Sequence, residues 1–279
     1  MPELPEVETI TRGLRPDLLG RTILAAEVDW PNTVATSDIE TFQRRIVGQR
    51  VLEITRRGKY LALRLSGGDW LLVHLKMTGH LQVVTGQATP DKHVRTVFRL
   101  DDGRQLWFHD PRKFGRLHLT DDPATVLGDL GPEPLADDLS LAVFAARLRQ
   151  RRGRIKPLLL NQTFIAGIGN IYADESLFFA GLHPRRTADT LTDGEIAALY
   201  HALRDVLRLA VENRGTTLDD RGYRDTHGQA GNNQACVRVY GRQGQPCHRC
   251  GTPVERLVIN SRSAHFCPHC QPAPLASQR

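Results

Sequence analysis

Residues 247–270 read CHRCGTPVERLVINSRSAHFCPHC and hold four of the five cysteines of the 279-residue chain. The pairs Cys247/Cys250 and Cys267/Cys270 are each separated by two residues, a spacing typical of a four-thiolate zinc site. A segment this short cannot bury a core of its own, so we expect one structural Zn²⁺ to fold it. Four thiolates leave no open coordination position, which argues against a catalytic metal.

Two other interpretations of this segment stay open. Disulfides are disfavoured, because the N-terminal sequence MPELPEVETI lacks the basic and apolar regions of a secretory signal and we therefore expect a cytoplasmic protein. One of His248, His265 and His269 could replace a thiolate ligand. We expect the fifth cysteine, Cys236, to be a small buried or half-buried side chain.

Length, composition and charge limit the class of protein. A chain of 279 residues is long enough for two domains. Its 40% hydrophobic and 24% charged residues are typical of a globular protein and exclude a fibrous or largely disordered chain. No run approaches the roughly 18 apolar residues of a membrane span. The net charge of +6 comes from residues 1–120 and 151–279, which flank an acidic middle; this fits a polyanionic partner or merely a solvated basic surface.

The hydrophobic pattern predicts an N-terminal half rich in strands. Residues 5–15 predict a short helix that Pro16 ends or kinks. Residues 22–120 contain short alternating runs separated by turns, which indicate a β-sandwich or barrel. The clearest case is the alternation in residues 94–100, followed by the hairpin turn signal Asp102-Gly103.

From residue 139 onward the apolar spacing becomes helical. Thr192 and Glu195 form a capping box that opens a helix, and Gly215 can close it. A long polar segment without periodicity follows at about 216–236, and a segment of this kind is usually functional or disordered. We therefore divide the chain into a β-sandwich domain at 2–120, a linker at 121–138, a helical domain at 139–236, a zinc finger at 237–273 and a tail at 274–279.

The N-terminal residues could perform covalent chemistry. Removal of Met1 would leave Pro2 with a secondary amine that is partly neutral near pH 7 and can attack an electrophilic carbon to form an iminium. Glu3 and Glu6, one helical turn apart, could donate and shuttle protons. The alternative is that these acids only stabilise the start of a helix.

Two further motifs suit nucleic-acid binding. In AGIGNIY, Asn170 is expected to cap a helix whose N–H groups could hold a phosphate. In FHDPRKFG, a turn presents Arg112 and Phe114, which together with Met77 suit insertion into a base stack. The alternatives are an ordinary helix–turn–helix corner for the first motif, and core side chains for Phe114 and Met77.

Taken together, these motifs resemble the bacterial formamidopyrimidine-DNA glycosylases. Six matching stretches run in order through nearly the whole chain: PELPEVET at 2–9, RGKY at 57–60, HLKMTG at 74–79, DPRKFG at 110–115, GIGNIY at 167–172 and the zinc segment. The resemblance implies an α+β fold of two domains with DNA between them. The N-terminal domain would be a β-sandwich with flanking helices, and the C-terminal one a helix–two-turns–helix domain with a four-cysteine zinc finger.

The resemblance also implies an activity and its residues. The family removes oxidised purines from double-stranded DNA and cleaves the resulting abasic site by β,δ-elimination, without a redox cofactor. Pro2 would be the nucleophile, Glu3 the proton donor to the sugar and Glu6 its support. Lys59 and Arg262 would serve the β- and δ-elimination steps. The implied partner is duplex DNA with oxidised bases or abasic sites, bound by a monomer away from any membrane.

The resemblance implies further DNA contacts at the positions of this sequence that match the family's motifs. Met77, Arg112 and Phe114 would fill the space of the flipped base, with Arg112 facing the orphaned cytosine. The remaining implied contacts are His74, His93, Arg151, Lys156 and Asn170. The segment at about 216–236 would close over the flipped base, although it resembles only part of the family.

This chain departs from the family around Arg262, where glycines are common. Here the neighbouring positions are Asn260, Ser263 and Ala264. The departure bears on the geometry of the turn that presents the arginine.

Two rival interpretations remain. The related endonuclease VIII type acts on oxidised pyrimidines, but Leu4 and the Arg112/Phe114 pair favour the purine class. A non-catalytic zinc-containing DNA-binding protein would not need Pro2, Glu3 and Lys59, all of which this chain retains.

Overall fold

The computed structural model describes residues 1–86, 88–218 and 222–274. Its contacts divide the chain into two compact units. The first unit combines Met1–Asp129 with Val211–Gln234, and the second combines Leu130–Ala210 with the chain from Ala235 onward. The chain therefore passes from the second unit back to the first and leaves it again before the zinc segment.

The first unit contains two antiparallel four-stranded sheets, with strand orders β1-β6-β7-β5 and β2-β3-β4-β8. Its elements are α1 (Leu4–Leu18), β1 (Ile23–Val28), α2 (Ile39–Ile46), β2 (Val51–Arg57), β3 (Tyr60–Leu65), β4 (Trp70–His74), β5 (His80–Val84), β6 (Val94–Leu100), β7 (Gln105–His109), β8 (Arg116–Thr120) and α3 (Ala124–Leu127). Apolar side chains from both sheets, α1 and α2 form one core. This confirms the predicted β-sandwich with flanking helices.

The hairpin of β6 and β7 forms where the sequence predicts it, and Gly103 in its turn has a φ of +82°. Strand β6 is more buried than an alternating strand should be, because it pairs with β1 on one side and β7 on the other. Its inward polar residue Arg95 is buried and donates hydrogen bonds to the carbonyl of Asp110 and to the carboxylate of Asp29, at 2.9 and 3.1 Å.

Helix α1 is longer than predicted. It continues through Pro16 to Leu18, although proline removes one backbone hydrogen bond. Leu14 and Leu18 lie one helical turn apart in the core, so the last turn stays on the buried face of the helix. The burial of Leu18 thus outweighs the local cost of Pro16, and Leu19 ends the helix by donating its N–H to the carbonyl of Arg15.

The second unit is mainly helical and ends in a short β-hairpin. Its elements are α4 (Leu141–Arg149), α5 (Ile155–Leu160), α6 (Asn170–Phe179), α7 (Asp193–Glu212, whose last two residues belong to the first unit), β9 (Glu255–Ile259) and β10 (Arg262–Phe266). The predicted capping box of α7 is confirmed: the N–H of Thr192 lies 2.8 Å from Glu195 Oε2, and the N–H of Glu195 lies 3.3 Å from Thr192 Oγ1. The prediction that Asn170 caps α6 is off by one residue, because Gly169 occupies the cap and Asn170 begins the helix.

Part of the predicted linker is fixed on α7. The buried guanidinium of Arg204 donates hydrogen bonds to the carbonyls of Pro134 and Ala136, both at 2.9 Å. The boundary between the two units falls between Asp129 and Leu130, so the second half of the 121–138 stretch belongs to the helical unit.

The long polar segment after α7 packs with the first unit, whereas the sequence interpretation placed it at the end of the helical domain. Tyr223 joins the core of the first unit, and its hydroxyl donates a hydrogen bond to the carbonyl of Arg214 at 3.0 Å. Residues 219–221 of this segment lie outside the described residues. No helix in the described ranges is long and apolar enough to cross a membrane.

Candidate active-site residues and zinc centre

The N-terminus begins a helix with a buried pair of carboxylates. Pro2, Glu3 and Glu6 are buried. Glu3 occupies the cap of α1, and Glu3 and Glu6 form a reciprocal capping box in which the N–H of Glu3 lies 2.8 Å from Glu6 Oε2. The other oxygen of Glu6, Oε1, accepts the N–H of Thr216 at 2.7 Å. Glu6 therefore joins the start of α1 to the polar segment that follows α7.

Lys59 lies in the two-residue turn between β2 and β3, where Gly58 adopts a φ of +57°. The lysine side chain is buried. Arg56 supports this turn by donating hydrogen bonds to the carbonyl of Gly58 at 2.9 Å and to the carboxylate of Glu8 at 3.1 Å. Burial opposes ionisation of Glu8, but the hydrogen bonds from Arg12 and Arg56 outweigh it and lower the pKa of Glu8.

His74, at the end of β4, is a neutral hydrogen-bonding group. Burial, together with the charges of Lys76 and Lys59, lowers the pKa of His74 to about 3, so the ring is uncharged at physiological pH. Its Nδ1 accepts the N–H of Lys76 at 3.0 Å. The ring proton therefore resides on Nε2, which is the atom able to donate to a phosphate oxygen.

Met77, Arg112 and Phe114 are exposed rather than part of the core. Met77 is 42% and Phe114 is 45% exposed. The guanidinium carbon of Arg112 lies 4.9 Å from the centroid of the Phe114 ring. The alternative that Met77 and Phe114 are core side chains is therefore wrong, and both apolar side chains and the Arg112 guanidinium are open to solvent.

Asp110 holds these two turns together, and the sequence interpretation missed it. This buried carboxylate accepts hydrogen bonds from the hydroxyl of Thr78 at 2.5 Å and from the N–H groups of Arg112 and Gly115 at 3.3 and 2.7 Å. A Cβ at Gly115 would lie 2.3 Å from the ring of Phe108, so only glycine fits. The sequence signal was the Asp-Pro pair, because aspartate commonly accepts backbone hydrogen bonds two residues further on.

His93 directly precedes β6 and lies beside His109, the last residue of β7. The rings of His93 and His109 are 5.6 Å apart, and those of His80 and His109 are 4.5 Å apart. Burial and the neighbouring His109 lower the pKa of His80 to about 4. The structure does not test DNA contact by His93, which stays a prediction.

In the second unit, Arg262 is exposed at the first position of β10. The preceding residues Asn260 and Ser261 have φ values of +47° and +62°, and Ile259 pairs with Arg262 across the turn. Two consecutive left-handed residues are typical of a tight type I′ hairpin turn, which asparagine tolerates well. The departure from glycine at Asn260 therefore preserves the turn that presents Arg262.

The ammonium of Lys156 is paired within the protein. It is fully buried, and its Nζ donates to Asp174 Oδ1 at 2.5 Å and to the carbonyl of Ser263. Asp174 Oδ2 accepts the backbone N–H of His265 at 2.9 Å. Lys156 and Asp174 thus hold the β10 backbone just beyond Arg262. The phosphate contact by Lys156 stays a prediction.

Arg151 and Asn170 differ in their surroundings. Arg151 is exposed and lines a surface hollow of about 480 Å³ with Arg152, Arg154 and Asn161. The side-chain Oδ1 of Asn170 is buried at the start of α6 and has no hydrogen-bond partner among the described residues. Both roles in phosphate binding stay predictions.

The four cysteines of the zinc segment come together as predicted. The Sγ atoms of Cys247, Cys250, Cys267 and Cys270 all lie within 4.8 Å of one another. The Sγ atoms of Cys250 and Cys267 lie 3.5 Å apart and those of Cys247 and Cys270 lie 4.0 Å apart, close to the roughly 3.8 Å edge of a tetrahedron of 2.3 Å Zn–S bonds. All four are free thiols, which excludes the disulfide alternative.

The histidine alternative for this site is also excluded within the described ranges, where the cluster of possible metal ligands contains cysteines only. His265 Nδ1 contacts Asp174 at 3.1 Å, and His248 Nδ1 contacts Arg238 at 3.0 Å. Cys236 is half-buried, as predicted, and lies outside the cluster. The donor set of four soft sulfurs fits one structural Zn²⁺.

Three family descriptions match this chain in order. They are the formamidopyrimidine-DNA glycosylase N-terminal domain at residues 1–117, its H2TH domain at 130–221, and a zinc finger found in FPG and IleRS at 244–273. The chain belongs to the formamidopyrimidine-DNA glycosylase family. Formamidopyrimidine-DNA glycosylases of Herpetosiphon aurantiacus and Chloroflexus aggregans are 49% and 50% identical to it, over 97% of this chain and 100% and 98% of theirs.

Solved structures of family members bound to DNA share the fold. A mutant Lactococcus lactis Fpg with Fapy-dG DNA is 33% identical and superposes with a TM-score of 0.91, covering 98% of this chain. The Lactococcus lactis Fpg with abasic-site DNA is 33% identical with a TM-score of 0.90 over 97% of this chain. A MutM protein with carbocyclic 8-oxo-G DNA is 35% identical with a TM-score of 0.90 over 98%. Each of the three solved chains is covered completely.

The zinc centre of this family member gives a direct prediction. Cys250→Ser removes one of four thiolates, so we expect the purified protein to lose its one bound zinc and its affinity for duplex DNA. The first unit should remain folded, because its core contains none of these cysteines. Zinc content by elemental analysis and DNA affinity by fluorescence anisotropy provide the measurements.

The matched control is Cys236→Ser, the same substitution outside the cluster, which should keep one zinc per chain. Active wild-type protein without zinc, or a zinc content unchanged by Cys250→Ser, would refute the assignment.

Proposed function

We propose that this chain removes oxidised purines from duplex DNA and then cleaves the strand at the abasic site, with Pro2 as the nucleophile. Family membership supports the substrate class, since solved relatives were captured on DNA that contains Fapy-dG, an abasic site or carbocyclic 8-oxo-G. The observation that carries the proposal is the N-terminal Pro2 directly before the buried Glu3–Glu6 pair. The enzyme acts as a monomer in the cytoplasm.

The glycosylase step needs a nucleophile and an acid. Removal of Met1 frees the secondary amine of Pro2, whose lone pair forms a bond to C1′ of the damaged nucleotide. The bond between C1′ and the base breaks, and the base leaves with the electron pair and takes a proton. Pro2 loses its own proton while Glu3 delivers one to the ring oxygen as the C1′–O4′ bond opens. The product is an iminium between Pro2 and C1′.

Strand cleavage follows from the same intermediate. The iminium withdraws electrons and acidifies the C2′ proton, so loss of that proton expels the 3′ phosphate in β-elimination. A second elimination then expels the 5′ phosphate, and water releases the sugar fragment from Pro2. We assign proton transfer in the first elimination to Lys59, which is buried in the same unit as Pro2. Arg262 is assigned to the second elimination, because an exposed guanidinium can bind the leaving phosphate.

The remaining site residues bind and distort the DNA. A base inside a duplex must be flipped out before C1′ can be attacked, at a cost of roughly a few kcal/mol. Exposed Met77 and Phe114 can fill the space left by the base, and Arg112 can pair with the orphaned cytosine. The proposed phosphate contacts are His74, His93, Arg151, Lys156 and Asn170. The bound zinc supplies no reaction chemistry and holds the hairpin that presents Arg262.

Experiment can distinguish the proposed function from two alternative functions. A preference for oxidised pyrimidines would favour the endonuclease VIII type, whereas the Arg112/Phe114 pair favours purine lesions. Binding of damaged DNA without cleavage would favour a non-catalytic DNA-binding protein.

Borohydride trapping tests the proposed nucleophile. With a duplex that contains 8-oxoguanine opposite cytosine, reduction of the iminium should give a covalent complex, and mass spectrometry should locate the DNA on the peptide that begins at Pro2. Pro2→Gly is expected to lose most of this complex. A crosslink located on Lys59, with Pro2→Gly fully active, would contradict the assignment.

Glu3→Gln should separate the two activities. Gln keeps an oxygen that can accept the capping hydrogen bond of α1 but cannot deliver the proton that opens the sugar. We expect excision of 8-oxoguanine to fall by about 10²- to 10⁴-fold, the usual effect of losing a general acid. Cleavage of a preformed abasic site should largely survive, because its open aldehyde needs no such proton. Equal losses on both duplexes, measured with one enzyme preparation, would show that Glu3 has another role.

Arg112→Ala should reduce discrimination of the base opposite the lesion. Direct contacts to bases specify sequence, whereas phosphate contacts mainly position the protein. The cleavage rates of 8-oxoguanine opposite cytosine and opposite adenine should therefore converge in this variant. Lys113→Ala removes the same charge from the same turn, where the lysine lies over Trp30 at 4.0 Å, and should leave the ratio unchanged. An unchanged ratio in Arg112→Ala would assign Arg112 to phosphate binding.

A further inference from the structure

The base of the polar segment after α7 is a buried hydrogen-bonded cluster. Thr216 and Asn233 are 3% and 5% exposed. The Nδ2 of Asn233 donates a hydrogen bond to Thr216 Oγ1 at 2.9 Å, and the Oδ1 of Asn233 accepts one from Asn213 Nδ2 at 3.3 Å. The backbone N–H of Asn233 also bonds to the carbonyl of Gly215 at 3.1 Å. The Asn233 side chain thus bridges the start and the end of this segment.

The same cluster reaches the catalytic end of α1. The N–H of Thr216 lies 2.7 Å from Glu6 Oε1, and the other oxygen of Glu6 accepts the N–H of Glu3. The path of hydrogen bonds is therefore continuous from Asn233 through Thr216 and Glu6 to Glu3. All four residues are buried, so water does not readily replace a lost partner.

Two glycines show how closely the chain must approach Glu6. Gly215 has a φ of +79°, and a Cβ there would lie 2.9 Å from Glu6 Oε1 and 3.1 Å from the ring of Tyr223. A Cβ at Gly231 would lie 2.1 Å from the carbonyl oxygen of Gly215. The two ends of the segment are thus in direct backbone contact beside the carboxylate. A small displacement of either end would move the donor that faces Glu6.

We propose that Asn233 is a positioning residue for the glycosylase step: it fixes the Thr216 N–H against Glu6 and, through Glu6, orients the carboxyl of Glu3. This inference rests on the proposed function, in which Glu3 delivers a proton to the sugar. It makes proton delivery depend on the hydrogen bond between Asn233 and Thr216. Attack of Pro2 on an abasic aldehyde does not need that proton, so Asn233 should be dispensable for the lyase step.

The test compares both steps under single-turnover conditions with enzyme in excess. Asn233→Leu keeps the approximate size of the side chain and removes both hydrogen bonds of the amide. A misplacement of about 1 Å can cost about 100-fold in rate, so we expect excision of 8-oxoguanine to fall by about 10- to 100-fold. Cleavage of a preformed abasic duplex should change by less than about threefold, and affinity for the duplex should stay the same.

Neighbouring variants make the test specific. Asn232→Leu is the same change at the next residue, whose side chain is exposed, and should behave like wild type. Thr216→Val removes the hydroxyl that accepts the hydrogen bond of Asn233 and should reproduce the selective loss of excision. Thr216→Ser keeps the hydroxyl and should excise 8-oxoguanine like the wild type. Because Thr216→Val removes a hydrogen bond that Asn233→Leu already removes, the double variant Asn233→Leu/Thr216→Val should lose no more than Asn233→Leu alone.

Equal losses on the two duplexes, or wild-type excision by both Asn233→Leu and Thr216→Val, would overturn the inference. Retained cleavage of abasic DNA also shows that the variant is folded, and Thr216→Val provides the same test if Asn233→Leu does not fold. Failure of the proposed function has a different signature: the wild-type enzyme itself would neither excise 8-oxoguanine nor form the borohydride-trapped complex.

Discussion

Glu175 lies buried on α6 and accepts three consecutive backbone N–H groups, those of Arg238, Val239 and Tyr240, at 2.7 to 2.9 Å. Burial raises the pKa of Glu175, and these three hydrogen bonds oppose that shift by stabilising the charged form. A carboxylate removed from water must be met by donors, because an uncompensated buried charge is expensive. The chain segment that leads into the zinc finger therefore follows a path that supplies those donors.

The same constraint recurs wherever an irregular segment carries a candidate functional group. Asp110 fixes the turn of Arg112 and Phe114, Glu6 fixes the segment after α7, and Asp174 fixes the β10 backbone beside Arg262. In each case the acceptor lies on a regular element or at its end, and the donors are backbone N–H groups of the chain segment that it holds. Regular elements thus position irregular segments through a few buried carboxylates, as hydrogen bonds that support a site hold its side chains in place.

The sequence was sufficient to predict the features that depend on spacing. The four cysteines, the β6–β7 turn and the capping box of α7 all depend on residues a fixed number of positions apart, and all three are confirmed. The features that the sequence did not predict depend on residues that are distant in the chain. The core contact of Leu18 carries α1 past Pro16, and a carboxylate on α6, far away in sequence, buries the ammonium of Lys156. Asn233 carries no local signal, since its partners Thr216 and Asn213 lie 17 and 20 residues earlier in the chain.

The two cations near the zinc hairpin show why residue type alone does not assign a role. Lys156 and Arg262 both suit a phosphate, but Lys156 has no exposed surface and is paired with Asp174, whereas Arg262 is exposed. Removing one partner of a buried ion pair costs about 3–5 kcal/mol, because the other charge is left uncompensated. Lys156 therefore stabilises the fold, and its ammonium donates a hydrogen bond to the carbonyl of Ser263, next to Arg262. Burial of the first cation fixes the backbone from which the second one extends, and of these two side chains only that of Arg262 is exposed.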